Sequence, residues 1–236
     1  MADIVKAIEK EREYLSYRMK GEEPYHLVDA IKELGFESLD EYFNAKRDYE
    51  FSQIQFEVVE TSPSDCISEG LRLLDNEITG AVIVECDHTF VFSGDTKPFD
   101  EEYCNTNDIP IYPLYTRGGT MVNSTGDFAF GVCVPASVVS KPQYFLRKIA
   151  ALLSELMPNI AVEDNDIMLN GCKVCGTTGY TRNGMYLFIA DFSFSDKSEL
   201  IEKICSVSNS IKPVSYINGT SASVFKGELK KWLKIL

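Results

Sequence analysis

The sequence predicts an α+β fold: a mixed β-sheet flanked by helices, with a small helical appendage at the N-terminus. Three observations predict it. Residues 2–48 carry apolar side chains at helical spacing. From about residue 52 short runs alternate with period two. The strands and helices that follow do not keep the strict order of a doubly wound parallel sheet.

In chain order, "IVKAIEKEREYLSYRM" places Ile4, Ala7, Ile8, Tyr14 and Leu15 at near-helical spacing. Pro24 opens a second helix over "YHLVDAIKELG", and Gly35 stops it. Ser38 caps a third over "LDEYFNAKRDY", with Glu41 completing a capping box. These elements make residues 1–50 an appendage to a domain spanning 51–236. There "SQIQFEVVE" alternates as a strand, and "SPSDCISEGLRLLDN" is a capped helix. "GAVIVECDHTFVFSG" holds two strands, and "IPIYPLY", "TMVN" and "DFAFGVCVP" are strands around a glycine loop. "KPQYFLRKIAALLSELM" places Phe145, Ile149, Leu152, Leu153 and Leu156 on one helix face. Strands in "NDIMLNGCKVCGT" and "GMYLFIADFSF" follow, the second opened by the turn signal Asn183-Gly184. "DKSELIEKICSVSNSI" and "ASVFKGELKKWLKIL" end the chain as helices.

The 236 residues, 44% of them hydrophobic, suffice for one large domain with a sizeable core. No apolar run approaches the roughly 18 residues of a membrane span. The charged start "MADIVKAIEKEREYL" is unlike a secretory signal, so a cytoplasmic protein is expected. A net charge of −13 argues against nucleic acid as a partner, since phosphates would be repelled. Seven scattered cysteines read as free thiols. The lone CxxC, Cys172 and Cys175, lacks the second ligand pair of a zinc site. With two histidines and no nucleophile motif beside either, a histidine triad has no visible members.

Two segments are candidates for chemistry. In "LYTRGGTMVNSTGDFAFGVCVP", paired glycines stand at the mouth of a β-rich segment. They serve either a hairpin or the close approach of a ligand to the backbone. In "NDIMLNGCKVCGTTGYTRNGMYLF", Lys173 stands between glycines on a strand with one face to bury. It is either an edge lysine or a cation for a carboxylate, phosphate or polarised carbonyl. Asp166 is a turn residue or, only if a nucleoside triphosphate binds with Mg²⁺, an oxygen ligand for that ion, and Arg182 sits at a hairpin tip. Alternation places Cys175 on the face of Lys173 and Cys172 on the other. Core packing is the ordinary role of such cysteines, as for Cys133.

These two segments, in this order, resemble lipoate–protein ligases and the related octanoyltransferases, which share a core with biotin–protein ligases. Arg117, Gly118 and Gly119 echo the "RGG" of the octanoyltransferase branch, and Thr120 stands where ligases carry a third glycine. The second family signature, "ND", a spacer, "GKK" or "GRK", two residues and Gly, is matched at Asn165, Asp166, Gly171, Lys173 and Gly176. The resemblance covers roughly residues 52–220. It implies a class II synthetase-like sheet cradling an acyl chain, with the glycines around its activated end. It also implies that Lys173 contacts the reacting carbonyl. The substrate would be lipoate or octanoate, activated by ATP with Mg²⁺ or supplied as a thioester. The acceptor would be a lysine of a lipoyl-type carrier domain, and the thioester donor an acyl carrier protein.

The sequence departs from the family at three places. Leu114 and Tyr115 stand where ligases carry paired arginines, "NST" replaces an "HD", and Ala190-Asp191 replaces a His-Gly. These departures thin out the groups that would hold an adenylate. They leave transfer from a pre-activated acyl group as an option. Octanoyltransferases use a cysteine nucleophile alongside the lysine, and of Cys172 and Cys175 the resemblance implies Cys175, on the face of Lys173, as the better candidate. The departures also leave open a catalytically degenerate relative that binds an acyl ligand, a nucleotide or a protein partner.

Overall fold

The computed structural model of the chain describes residues 2–94, 99–114, 119–205 and 214–234. They divide into two compact units, Met1–Ile54 and Gln55–Leu236.

The first unit is three helices, α1 (Ile4–Met19), α2 (Leu27–Glu33) and α3 (Leu39–Ser52). Asp3 caps α1 by accepting from Lys6 N–H, and Ser38 caps α3 by accepting from Glu41 N–H, both at 3.1 Å. Such caps satisfy donors that a helix start leaves unpaired. Helix α2 begins at Leu27, three residues later than Pro24 predicts, with His26 as its cap residue. Tyr25 is held outside it, its hydroxyl donating to Lys10 O at 2.9 Å. Ala7, Ile8, Ile31, Phe36 and Tyr42 form the core. The buried Glu11 carboxylate accepts from Tyr42 Oη (2.8 Å) and Lys46 Nζ (2.5 Å), which offsets its desolvation.

The second unit runs β1 (Glu57–Thr61), α4 (Cys66–Asp75), β2 (Gly80–Glu85), β3 (Phe90–Ser93), α5 (Glu101–Thr106), β4 (Ile111–Pro113), β5 (Met121–Asn123) and β6 (Phe128–Pro135). It continues with α6 (Pro142–Leu156), β7 (Ile160–Glu163), β8 (Asp166–Leu169), β9 (Cys172–Arg182), β10 (Met185–Phe192), α7 (Ser198–Ile204) and α8 (Ala222–Trp232). Seven strands form a sheet in the order β1-β2-β6-β10-β9-β8-β7, and three form a small sheet β4-β3-β5. Within the large sheet β1 and β2 are parallel, and the other neighbours are antiparallel. The fold is thus α+β with a mixed sheet, as the sequence predicts. The first strand is shorter than the alternation of "SQIQFEVVE" suggests, because α3 extends to Ser52. The turn at Asn183 and Gly184 forms as predicted, with φ of 52° and 73°.

The large sheet is covered on both faces. On one, the Phe145 ring of α6 stacks on Phe188 at 4.7 Å, and Phe225 of α8 meets Phe192 at 4.9 Å. On the other, α4 packs over β2, β6 and β10. Central strands buried on both sides read as continuous apolar runs, which is why "FAFGVCVP" and "MYLFIADF" hold so few polar residues. Gly179 lies on the α6 side, opposite Phe188. A β-carbon there would overlap the Tyr186 hydroxyl and stand 2.7 Å from its ring Cε2 and Cζ. That hydroxyl is buried without a hydrogen-bond partner among the described residues.

Gly179→Ala is therefore expected to destabilise the fold by about 1–3 kcal/mol through overpacking. Tyr186→Phe, which removes an unsatisfied buried hydroxyl, should be neutral or stabilising. Denaturant unfolding of both variants checks this pair; a large loss in Tyr186→Phe would contradict it.

Candidate functional site

Cross-strand partners in a sheet place their side chains on the same face. On the α4 side the register lays out successive rows: Val84, Ala129, Asp191, Gly176 and Asp166 in one, then Val82, Gly131, Ile189 and Thr178, then Cys133, Leu187 and Tyr180. The apolar members floor a cleft roofed by Cys66, Ile67, Leu71 and Leu74 of α4 with Phe92 and Leu114. It is almost wholly apolar and partly open to solvent. Ala129 belongs both to this floor and to the row that carries the polar groups.

In that row Gly176 lies between Asp166 on β8 and Asp191 on β10. The Lys173 ammonium reaches back over it: a β-carbon at Gly176 would stand 3.0 Å from Lys173 Nζ and 3.1 Å from Cε. Its partner is Asp166 Oδ1 at 2.9 Å. The glycine leaves the ammonium the space that a side chain there would press on. With strands about 4.8 Å apart, the row sets Gly176 about 10 Å from Ala129.

A β-bulge makes this arrangement. Met168 pairs with Lys173, but its neighbour Ile167 pairs with Cys175, so Val174 is an extra residue on β9. The backbone is pinned there by Ser193 N–H to Val174 O and Ser215 N–H to Lys173 O, both 2.9 Å. The inserted residue reverses the alternation. Lys173 and Gly176 share a face with Asp166, and Cys175 turns to the opposite face. This corrects the expectation that Cys175 stands beside Lys173. Cys175 is 1% exposed, and burial above all pushes its thiol well above the ordinary range, so a thiolate is disfavoured. Cys172 pairs with Leu169 and shares that opposite face. Cys133 is a core residue, its thiol pushed up to about 12 by burial.

Gly171 forms the β8–β9 turn with φ of 79°. Asn165 precedes β8, its carbonyl accepting from Thr177 Oγ1 at 2.6 Å. Gly119 and Thr120 lead into β5. Arg117 and Gly118 lie outside the described residues. Arg182 pairs with Asp75 at 3.2 Å. Among the described residues no group of three or more His, Cys, Asp or Glu is arranged to hold a metal ion.

Sequence reasoning assigned no role to four polar residues that the fold buries in or beside this row. The Asn123 amide nitrogen, oriented by its surroundings, donates to both Asp191 oxygens at 2.5 and 3.2 Å. Asp191 is buried, and that burial pushes its carboxyl up to about 7, against the pull of Lys197 and Lys173. Asp127 Oδ1 accepts from Phe194 N–H (2.8 Å), Ser195 N–H (3.0 Å) and Ser195 Oγ (2.9 Å). Its Oδ2 accepts from Ser124 N–H at 2.9 Å and from the buried Lys197 ammonium. This pair ties the segment after β10 to the turn between β5 and β6. A charged residue inside an otherwise apolar strand, Asp191, was the one available sequence signal.

No protein-family model matches the sequence, and no curated protein matches it. Solved structures do. A bi-partite lipoate protein ligase from Thermoplasma acidophilum, studied with its E2 lipoyl domain, superposes with a TM-score of 0.64 at 15% identity over 77% of this chain and 83% of that one. A lipoate-protein ligase A bound with ATP gives 0.60 at 17% over 77% and 85%. P. falciparum LipL1 in complex with lipoate gives 0.62 at 12% over 76% and 59%. The chain therefore shares the fold of lipoate-protein ligases.

Removing Asp127 would leave Lys197 buried and unpaired. Asp127→Ala should cost about 3–5 kcal/mol, and the joint change Asp127→Leu with Lys197→Met should cost less. Equal losses in the two variants on denaturant unfolding would contradict this. For Asp191 the folded carboxyl titrates near 7, above its ordinary 3.8. The wild-type fold thus loses stability as pH rises from about 4 to about 7 and stays lowered above. Asp191→Asn should gain on wild type across that window. A stability difference independent of pH would overturn the assignment.

Proposed function

We propose that the chain transfers an activated lipoyl or octanoyl group to the side-chain amine of a lysine on a lipoyl-type carrier domain. The observation that carries this reading is the Lys173 ammonium, set over Gly176 in the row whose other end, Val84 and Ala129, lines the apolar cleft, in a fold shared with lipoate-protein ligases. The cleft would take the alkyl chain, each buried CH₂ contributing about 0.8 kcal/mol. The carbonyl would lie at the polar row, its oxygen accepting from Lys173. An ammonium fixed there stabilises the charge that develops on that oxygen when the amine attacks.

Asp166 pairs with Lys173, and among the described residues no cluster of metal ligands accompanies it. Either ATP supplies the acyl group as an adenylate, or an acyl carrier protein supplies it as a thioester. With Cys175 behind the strand, the amine attacks that donor directly. Residues 51–236 are the catalytic domain in this account, with 1–50 a helical appendage, acting in the cytoplasm, where the free thiols would stay reduced. The ion pair with Asp166 favours a second reading, a binding module whose amine is held and not used.

The test supplies octanoyl-adenylate, an octanoyl carrier thioester, or lipoate with ATP and Mg²⁺, together with a lipoyl domain. Acylation of the domain is followed by mass. Wild-type transfer, reduced about 10²–10³-fold in Lys173→Ala with octanoate binding retained, is the expected result. Gly176→Ala, which displaces the ammonium, should also slow transfer. Ligand binding without transfer from any donor would establish the binding module instead.

A further inference from the structure

We infer that Asp191 is the group that accepts the proton of the attacking amine, an assignment that rests on the acyl-transfer reading above. The register places Asp166 and Asp191 on either side of Gly176, at one level and on one face. The Lys173 ammonium lies between them and bonds to Asp166 at 2.9 Å. The other nearby cation, Lys197, bonds to Asp127. Among the described residues no lysine or arginine forms an ion pair with Asp191, whose partner is the neutral Asn123 amide. A carbonyl oxygen on Lys173 would set the reacting carbon above Gly176. Asp191 then stands one strand away, about 4.8 Å, on the side opposite Asp166.

The chemistry needs such a group. A lysine side chain is an ammonium at neutral pH, with an ordinary pKa of about 10.4, and attacks only as the free amine. One proton leaves the ammonium for the Asp191 carboxylate, and the nitrogen lone pair forms the C–N bond. As the bond to the phosphate or thiolate breaks, the nitrogen loses its second proton to solvent, and the Asp191 proton passes to the departing group. The products are the amide and the protonated leaving group, and nothing is oxidised or reduced.

The surroundings suit the task. Asp191 feels Lys197 and Asp127 from the segment and turn beside it, and Lys173 from β9. The thiols that feel Asp191, of Cys66, Cys86 and Cys175, are all pushed up, first by burial, and stay protonated at neutral pH. They do not compete for the proton. Burial also brings the Asp191 carboxyl near the operating pH, where a general base works best.

The test compares two acceptors, a lipoyl domain and hydroxylamine, which is already unprotonated at neutral pH, using preformed octanoyl-adenylate and the octanoyl thioester. Asp191→Asn should slow transfer to the domain about 10²–10⁴-fold and leave transfer to hydroxylamine within a few-fold. With the domain, the wild-type rate should climb through about pH 7 and level off. That of Asp191→Asn should climb on toward the lysine pKa of about 10.4. Equal losses with both acceptors, or an undiminished rate with the domain, would overturn the assignment. If Asp191→Asn does not fold, the wild-type profiles decide: a limb near pH 7 with the domain and none with hydroxylamine supports it, and matching profiles refute it. A wild type that transfers to neither acceptor overturns both this assignment and the acyl-transfer reading.

Discussion

The site depends on one steric fact: position 176 has no side chain. The Lys173 amine fills the space above it, with its Nζ 3.0 Å from where a β-carbon would lie. Strand pairing puts a carboxylate on each side at the same level. A lysine on a half-buried strand would ordinarily turn its head to water. Here the bulge at Val174 aims it along the sheet, and Asp166 holds it at 32% side-chain exposure. Charge is thereby concentrated at one row of a face that is otherwise apolar.

The rest of the fold keeps that row in place. The aromatic layer of Phe145, Phe188, Phe192 and Phe225 fixes β10 from behind. Asp127, with four N–H or O–H donors besides Lys197, fixes the chain that leaves β10. An ion pair so deeply buried contributes little net stability, since desolvation consumes much of the attraction. Its value is positional: it matches one cation and one anion, so that among the described residues Asp191 keeps an amide and no cation as its hydrogen-bond partner. The carboxyl near pH 7 follows from that placement together with burial.

Much of this was legible in the residues. Helical spacing, the Ser38 cap and the Asn183-Gly184 turn are local signals, and each produced the expected element. The central strands were expected from alternation, and they prove to be continuous apolar runs buried on both faces. Lys173 within its glycine frame was visible as well, because the close approach leaves a glycine at 176. The placement of Cys175 was not. A single extra residue reverses every later side chain on a strand, and nothing local in "GCKVCG" marks it. The Asp127–Lys197 pair was equally hidden, since its partners stand 70 positions apart and meet only when β6 and β10 pair. The helix starts at Leu27 and not after Pro24, with the Tyr25 hydroxyl before it bonded to Lys10 O, a contact that local sequence does not announce.

The central claim is that the Lys173 ammonium meets the carbonyl of a chain lying in the cleft. Isotope-edited infrared spectroscopy of a bound octanoyl thioester, labelled with ¹³C at its carbonyl, reads that contact directly. The account predicts a carbonyl stretch shifted to lower frequency in the wild-type complex, and a return toward the solution frequency in Lys173→Met with binding retained. The same frequency in both proteins would contradict it.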